Sequence, residues 1–539
     1  MLFIGICGIS YEYTFSKLAS DIMGDSVKQW SIIIGLMMLF MGVGADLQKY
    51  LPDKMLVDNF IILEILLGLF GAAGPTVILW SFSEFADHFI LIHYFFICLV
   101  GLFIGLEIPL LTRVNQLMAK SLKDNLGMIL KMDYIGSFLG ALIWLYILPK
   151  FFNLLEISYF LGLVNIVIGL FSWFWFKRWM HYPKLVPILG LICLIIVGVG
   201  IMNGQKITIT LEQKLYKDPI VYTKTTTYQH LVVTRKKSGE FYFYINGNLQ
   251  FSSFDEHIYH EFLVHPVMSA SRTKKRVLIL GGGDGLAVRE VLKYPQVQDI
   301  TLVDLDPEVT KLARTSAIFR KLNQDSLLNK KIKSIKAKGV TEGEKVRLNQ
   351  SGQGFFRSRK KDDSVRISVL NLDAYQFLET AQGIYDIIII DFPDPNNLML
   401  SKLYSLEFYQ LLKGKLAYDG MLVQQSSSPV FAKEAFLMIG RTMKKAGLDA
   451  VPIHHVVPSF GDWGWWIGGH QERSAIIPIK TSLKRIDKLP KTVNYITVEL
   501  VKSSLEFGKG ALKSKQTGIN KILDDKIFQT YINAWKKVQ

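Results

Sequence analysis

Cysteine is scarce in this chain, with 3 residues in 539. Cys7, Cys98 and Cys193 all stand inside apolar segments, which leaves no disulfide framework and no thiolate metal pattern; packing is their simplest role. Acidic residues are outnumbered by basic ones, 46 to 62, for a formal net charge of +16. Such an excess can serve nucleic acid, but its sharpest cluster is confined to 329–361, where eleven Lys/Arg face two acids among Gly and Ser. That stretch reads as a disordered insertion in a soluble domain, so no nucleic-acid partner is expected. Contact with anionic lipid headgroups is the functional reading of it and a solvated loop the simpler one. No basic segment precedes the first apolar run, which carries Glu12 and Lys17, and this argues against a cleavable signal peptide. Finally, the third glycine of a dinucleotide fingerprint is missing. In Gly281-Gly-Gly-Asp-Gly285-Leu-Ala-Val288, Leu286 or Val288 stands where G-x-G-x-x-G needs it, which disfavours NAD.

What the chain does have is long apolar runs before residue 204. Seven stretches, about 2–20, 30–45, 60–82, 89–112, 133–152, 156–176 and 184–202, are long or apolar enough to span a bilayer, the first being a truncated or interfacial candidate. Gly101-Leu-Phe-Ile-Gly105 and Gly136-Ser-Phe-Leu-Gly140 supply GxxxG spacing for close helix contact. Glu12, Glu64 and Glu107 fall within these runs, where a carboxylate is costly. A path for a cationic ligand is one reading. The preferred one is positional, since Glu64 and Glu107 lie near predicted span ends and Glu12 in the weakest span. Basic residues come after the second, fourth and sixth runs, including Lys49, Lys54, Arg113, Lys177, Arg178 and Lys184. The positive-inside rule makes those loops cytoplasmic, and a seventh crossing would then leave the rest of the chain outside.

From 205 the pattern changes. Lys206–Leu211, Ile220–Thr227, Leu231–Thr234 and Glu240–Ile245 read as short strands, with Asn246-Gly247 as a hairpin turn. Beyond 275, strands at Val277–Leu280, Ile300–Val303, Val365–Leu370, Ile387–Ile390 and Met421–Gln424 alternate with helices, the pattern of a doubly wound parallel sheet. The fold expected is an α-helical multi-span membrane domain (1–204), a small β domain (205–270) and an α/β Rossmann-like domain (271–485) with a basic insertion at about 327–364. A C-terminal helical covering element (486–539) closes the chain.

Residues 276–306 are the most informative stretch: buried strand, glycine turn, helix, and a second strand ending in acid. Gly281–Gly283 let the backbone turn tightly and approach a ligand, and Asp304 stands where a carboxylate accepts both hydroxyls of a ribose. An adenosine-type sulfonium ligand fits this fingerprint better than NAD. Asp284, Asp304, Asp373 and the pair Asp391/Asp394 all fall at strand C-terminal ends, the edge where an open α/β sheet binds ligands. A surplus of carboxylate there suits a cationic substrate.

Several motifs in order, Tyr228-Gln229-His230, Gln250 with Asp255-Glu256, Tyr259-His260-Glu261, Gly281–Gly285, Asp304, Asp373-Ala374, Asp391-x-x-Asp394-Pro395, Phe408-Tyr409 and Gln425, resemble the polyamine aminopropyltransferases typified by spermidine synthase. The resemblance covers about 225–470. The helical N-terminal region and Val457-Pro-Ser-Phe-Gly-Asp-Trp-Gly464 look like the membrane-attached bacterial branch. It implies a small β domain before a Rossmann-like domain of the S-adenosylmethionine-methyltransferase-like type. It also implies decarboxylated S-adenosylmethionine as co-substrate, putrescine or a related amine as acceptor, spermidine and 5′-methylthioadenosine as products, and neither a prosthetic group nor a metal.

By the same resemblance Asp391 is the catalytic base, and Asp394, Tyr259 and Tyr409 hold the acceptor. Asp284 and His260 bind the amine end of donor or product. Gln229, Gln250 and Asp304 address the ribose side, Asp373 and Ala374 the adenine, and Gly281 and Gly283 shape the turn. Phe392-Pro393 between the two acids and Ser426-Ser427-Ser428 after Gln425 depart from the soluble members, so the donor half is better supported than the acceptor half. Trp463, Trp465 and Trp466 wall the pocket or anchor at a membrane surface, and no role is assigned to His454 or His455. The alternatives are a membrane-associated methyltransferase and a polyamine sensor or transporter without turnover. An acid-rich edge should repel the methyl donor's carboxylate, and the candidate base is present. Cell-membrane localisation is expected, the catalytic domain on the cytoplasmic face where the donor nucleoside is found; a homodimer is left open.

Overall fold

The computed structural model describes residues 1–23, 26–85, 88–116, 121–328, 332–334 and 365–536. Nearly all of the basic insertion lies outside them. The chain divides into two compact units, Met1–Thr227 and Tyr228–Gln539.

The first unit is a bundle of α1 (Leu2–Met23), α2 (Ser26–Leu47), α3 (Leu56–Glu84), α4 (Phe89–Gln116), α5 (Leu122–Tyr146), α6 (Leu154–Phe176) and α7 (Leu185–Gln213), followed by a strand, β1 (Ile220–Thr225). Among the described residues, six helices, α2 to α7, are long and apolar enough to cross a membrane. The first helix is the polar exception, yet Cys7, Tyr11 and Phe15 put its inner face at the centre of the bundle. Its Ser10, Thr14 and Ser20 hydroxyls bond back to carbonyls one turn earlier, which satisfies them without a partner helix. An interfacial placement for α1 is therefore corrected to a central one.

Small residues set the spacing of the bundle. A Cβ at Gly101 would lie 3.0 Å from the Met37 carbonyl oxygen, and one at Gly105 would collide with the Met41 backbone, so α4 presses directly on α2. Gly136 and Gly140 do the same for α5 on α1, against Leu2 and Ile6. One strand expectation fails here. Lys206–Leu211 continues α7, with the Thr208 hydroxyl bonded to the Gly204 carbonyl (2.9 Å). Its alternation of Ile and Thr suited a strand, but the helix already running through Leu185 extends at the cost of no new nucleus.

In the second unit, β2 (His230–Arg235), β3 (Phe241–Ile245) and β4 (Asn248–Ser252) are antiparallel, β3 and β4 joined by Asn246-Gly247 with φ of 49° and 75°. Both positive values belong to the tight hairpin turn that such a dipeptide favours. Helix α8 (Glu256–Ala270) leads into an eight-stranded sheet. Its strands are β5 (Arg276–Gly281), β6 (Asp299–Asp304), β7 (Ile332–Ser334), β8 (Arg366–Asn371), β9 (Tyr385–Asp391), β10 (Leu416–Gln425), β11 (Leu448–Val457) and β12 (Gly461–His470). The order β11-β12-β10-β9-β5-β6-β8-β7 is parallel from β10 to β7, with an antiparallel hairpin at the other edge that the sequence reading missed. Alternate residues of β5 and β9 enter separate cores, Ile387 and Ile389 on one face, Ile388 and Ile390 on the other. Burying each isoleucine stabilises by about 1.5–3 kcal/mol, enough along one strand to offset the several kcal/mol that a buried carboxylate at its end costs. The segment after 486 is mostly irregular, with only Val498–Ser503 and Lys526–Trp535 as regular helices.

Because Gly105 meets backbone while Gly35 has nothing within 4 Å, Gly105→Val should destabilise the detergent-solubilised protein by about 1–3 kcal/mol. Gly35→Val should leave its melting midpoint in place. Equal midpoints for the two variants would contradict the close α2–α4 packing.

Candidate active site

Parallel register builds the site. Gly281 pairs with Asp391 and Asp304 with Asn371, so strands that end together deliver their acids to one edge. Gly281 has φ of 78°, and a Cβ there would strike the Asp391 carbonyl oxygen, so two requirements exclude any other residue. At Gly283 the constraint is contact alone. A Cβ would sit 2.6 Å from the Asp304 carboxyl, which instead accepts the Gly283 N–H (2.9 Å) and the Asp306 N–H (2.9 Å). Burial pushes the Asp304 pKa up to about 7 despite these two bonds.

Asp391 ends β9 with 11% of its side chain exposed. Its Oδ1 accepts the Tyr259 hydroxyl at 2.6 Å, and its Oδ2 lies 3.9 Å from His260 Nε2. The opposite ring nitrogen, Nδ1, is 2.8 Å from Glu256 Oε2, and Glu256 is clasped by Arg289 through both guanidinium nitrogens (2.7 and 3.0 Å). Burial opposes a charge on His260, but Glu256, then Asp391 and Asp284, outweigh it and raise its pKa to about 9. His260 is thus an imidazolium at neutral pH, with both ring nitrogens as donors. Burial raises the Asp391 pKa above the usual carboxylate range, while His260 and Tyr259 pull it back. Asp284 behaves alike. Burial lifts it to about 6 against the His260 cation, with Asp391 adding to the rise, and its Oδ1 accepts the Leu286 N–H (2.8 Å).

The role expected for His260 changes accordingly. A cation with no free acceptor cannot hold an ammonium; its charge opposes the rise that burial causes in the Asp391 and Asp284 pKa values. Glu256, part of the Asp255-Glu256 motif but given no role there, and Arg289, outside every motif, position it.

Asp394 occupies a second station. It accepts Gln425 Nε2 (3.1 Å), the Ser427 hydroxyl (3.0 Å) and the hydroxyl of Tyr531 from the Lys526–Trp535 helix. Burial raises its pKa, and these three donors oppose the rise. Gln425 also donates to the Phe392 carbonyl (2.6 Å) and the Tyr404 hydroxyl (3.2 Å). Ser427 carries φ of 66°, a left-handed conformation that costs a non-glycine residue about 1 kcal/mol or more. The Ser-Ser-Ser departure thereby gains a physical role, since the residue so held is the one that bonds Asp394.

Other expected residues lie elsewhere or are engaged differently. Tyr409 is fully buried, and its hydroxyl reaches neither acid; the Tyr404 hydroxyl donates to the Pro393 carbonyl (2.8 Å) and accepts Gln425 Nε2 (3.2 Å). Gln250, in β4, donates to the Asn248 carbonyl (3.0 Å) rather than to Asp304, and Gln229 lies just before β2. Asp373 caps the helix beginning at Ala374, accepting the Tyr375 and Gln376 N–H groups, and pairs with Lys402 (2.8 Å). Trp465 is a buried backing for Tyr259, at 5.7 Å between ring centroids, so packing and not a membrane surface explains it. His454 bonds Asp462 and His455 stacks on Phe262, both structural. Glu261, His265 and Glu290 cluster as tightly as a set of metal ligands, but Glu261 accepts three backbone N–H groups from Asn494–Ile496 and Glu290 is bound by Arg289 and Lys293.

Glu256, Asp391 and Asp284 thus face the His260 cation, with Asp304 and Asp394 along the same edge, an arrangement that favours a ligand carrying positive charge. A family model described as the spermine/spermidine synthase domain matches residues 256–343 and 349–478. The polyamine aminopropyltransferase of Oceanobacillus iheyensis is 33% identical over 99% of this chain and 96% of its own length. The chain belongs to the polyamine aminopropyltransferase family. That of Leptospira interrogans is also 33% identical, over 100% of this chain and 98% of its own, and polyamine aminopropyltransferase 1 of Streptomyces coelicolor is 37% identical over 85% and 81%. The first two matches run through both units. Among solved structures, a spermidine synthase in complex with the transition state analogue AdoDATO aligns with 57% of this chain and 88% of its own at 21% identity, TM-score 0.42. As a member of this family the chain is an aminopropyltransferase.

If His260 keeps Asp391 ionised, its removal acts on pH dependence. A cation lowers a neighbouring carboxylate's pKa, so in His260→Gln that pKa rises and the acid limb of kcat/KM should move to higher pH. Glu256→Gln should move it the same way. An unmoved limb in both would show that the imidazolium does not act on the base.

Proposed function

We propose that this enzyme transfers the aminopropyl group of decarboxylated S-adenosylmethionine to putrescine, forming spermidine and 5′-methylthioadenosine. One observation carries the reading. Asp391, with Tyr259 on one oxygen and His260 facing the other, stands beside the glycine turn and three residues from the separately held Asp394. Two carboxylates spaced along one edge suit a diamine, one end held at Asp394 and the other presented to the donor. Asp391 accepts a proton from the attacking ammonium, freeing the lone pair. That pair forms the new C–N bond at the methylene next to sulfur; the C–S bond breaks, and its electrons neutralise the sulfonium. Asp284 and Asp304 fit the donor's amine tail and ribose, and alignment supplies much of the rate. The donor lacks the carboxylate that this edge would repel, which favours aminopropyl over methyl transfer.

The reading extends to place. The helical unit spans the cell membrane, supported by the six long apolar helices and their close glycine contacts. The catalytic unit lies on the cytoplasmic side, supported by the donor being a cytosolic nucleoside, although the basic loops after α2, α4 and α6 favour the opposite orientation. A reporter fused at the C-terminus, active only in the cytoplasm, should be active; inactivity reverses the assignment.

With purified protein, decarboxylated S-adenosylmethionine and a panel of amines, methylthioadenosine release should be fastest with putrescine. Asp391→Asn should lower kcat by about 10²- to 10⁴-fold, the usual worth of a general base, with donor binding retained. Tyr531→Phe should raise the KM for the amine by about three- to tenfold, the worth of one hydrogen bond to a charged group, and leave that for the donor in place. No release with any amine would overturn the reading.

A further inference from the structure

Two carboxylic acids are buried in the helical unit with no basic side chain among the described residues to pair them. Glu64 on α3 is 0% exposed and Glu107 on α4 is 2% exposed. Their carboxyls face each other closely enough to share a hydrogen bond, and Glu64 Oε2 accepts Asn165 Nδ2 from α6 at 3.3 Å. Neither acid is at a helix end, and the positional explanation offered by the sequence is thereby corrected. Two carboxylates cannot hydrogen-bond unless a proton lies between them. Even then Glu64 Oε1, Glu107 Oε1 and Asn165 Oδ1 have no donor. The Asp133 carboxyl and the Met1 amino group stand within electrostatic range, but neither bonds these oxygens.

Independent groups continue the pattern. Tyr11 on α1 is fully buried and its hydroxyl has no partner. It packs over Gly71, where a Cβ would lie 2.9 Å from it, and its nearest charged neighbours include both glutamates. Gly71 is two turns along α3 from Glu64 and on the same face, about 10 Å away. One turn on along α1, Phe15 abuts His93 of α4 (6.4 Å between centroids), and both ring nitrogens of this fully buried histidine are unpartnered. His93 and Glu107 share a face of α4 at a separation of about 21 Å, most of the thickness of a hydrocarbon core. Acids and histidines buried along the inside of a bundle are the groups that carry protons through membranes.

We propose that the helical unit binds a proton at the Glu64–Glu107 pair and passes it across the bundle by way of Tyr11 and His93. Tyr11 sits at Gly71, about 10 Å along α3 from Glu64, and Phe15 lies against His93, so each hop runs through water admitted between the groups: one O–H or N–H bond breaks, another forms on the next water or side chain, and only one positive charge moves. Nothing in this requires aminopropyl transfer; it rests on the reading that the unit spans the membrane.

The test uses the full chain reconstituted in liposomes enclosing a pH-sensitive dye, with a potassium diffusion potential as driving force. Membrane insertion is scored separately by resistance to alkaline carbonate extraction. Flux should exceed that of protein-free liposomes and fall by at least about tenfold in Glu107→Gln, with a similar loss in His93→Leu. Both variants should retain aminopropyl transfer in the second unit, which reports that the chain has folded. Protein that resists extraction but gives no flux above protein-free liposomes would overturn the relay, as would variants that conduct like the parent. Protein stripped by carbonate would overturn the membrane reading itself.

Discussion

Behind the sheet edge, four buried or nearly buried charges alternate in sign: Arg289, Glu256, His260, Asp391. Each alone would cost several kcal/mol to take out of water, and each is tolerable only because its neighbour is opposite and hydrogen-bonded or close. The order of the row fixes the chemistry at its end. Without Glu256, burial would strip the proton from His260. Without that proton, the rise that burial causes in the Asp391 pKa would be opposed by Tyr259 alone. The row also ties α8 to the glycine-turn helix that bears Arg289, so the frame of the glycine turn and the charges facing Asp391 are one structural fact.

The acceptor end is built otherwise. Asp394 has no cation beside it among the described residues and is held by neutral donors from three separate parts of the chain, Gln425, Ser427 and Tyr531. Neutral donors stabilise a carboxylate without neutralising it. Its charge stays unmatched by any neighbouring cation among the described residues, whereas the His260 cation already meets much of the field of Asp391.

How much of this could be read from sequence depends on the range of the interactions. The glycine turn, Asp304 and the acids at strand ends were legible because short spacing and sheet topology determine them. Asn246-Gly247 announced its hairpin for the same reason. The β11–β12 hairpin was not legible, since Trp463–Trp466 looked like pocket or membrane residues and only pairing with β10 makes them a strand. Ile207–Thr210 misled because local alternation favoured a strand while the preceding helix decided otherwise. Ser427, Tyr404, Tyr531 and Arg289 were missed because nothing near them in the chain hints at what they touch. Glu64 and Glu107 were seen, but the span boundaries drawn around them placed them too near the ends.

The hydroxyl of Tyr531 on Asp394 has a consequence for how the protein comes into being. The strands and acids of the donor half are complete once residue 391 has been made, and the sheet once residue 470 has, but the acceptor station waits for the final helix. At roughly 5–20 residues per second, that is a delay of several seconds during synthesis. A nascent chain passes through a stage in which the glycine turn and its acids are in place while Asp394 still lacks the Tyr531 hydroxyl.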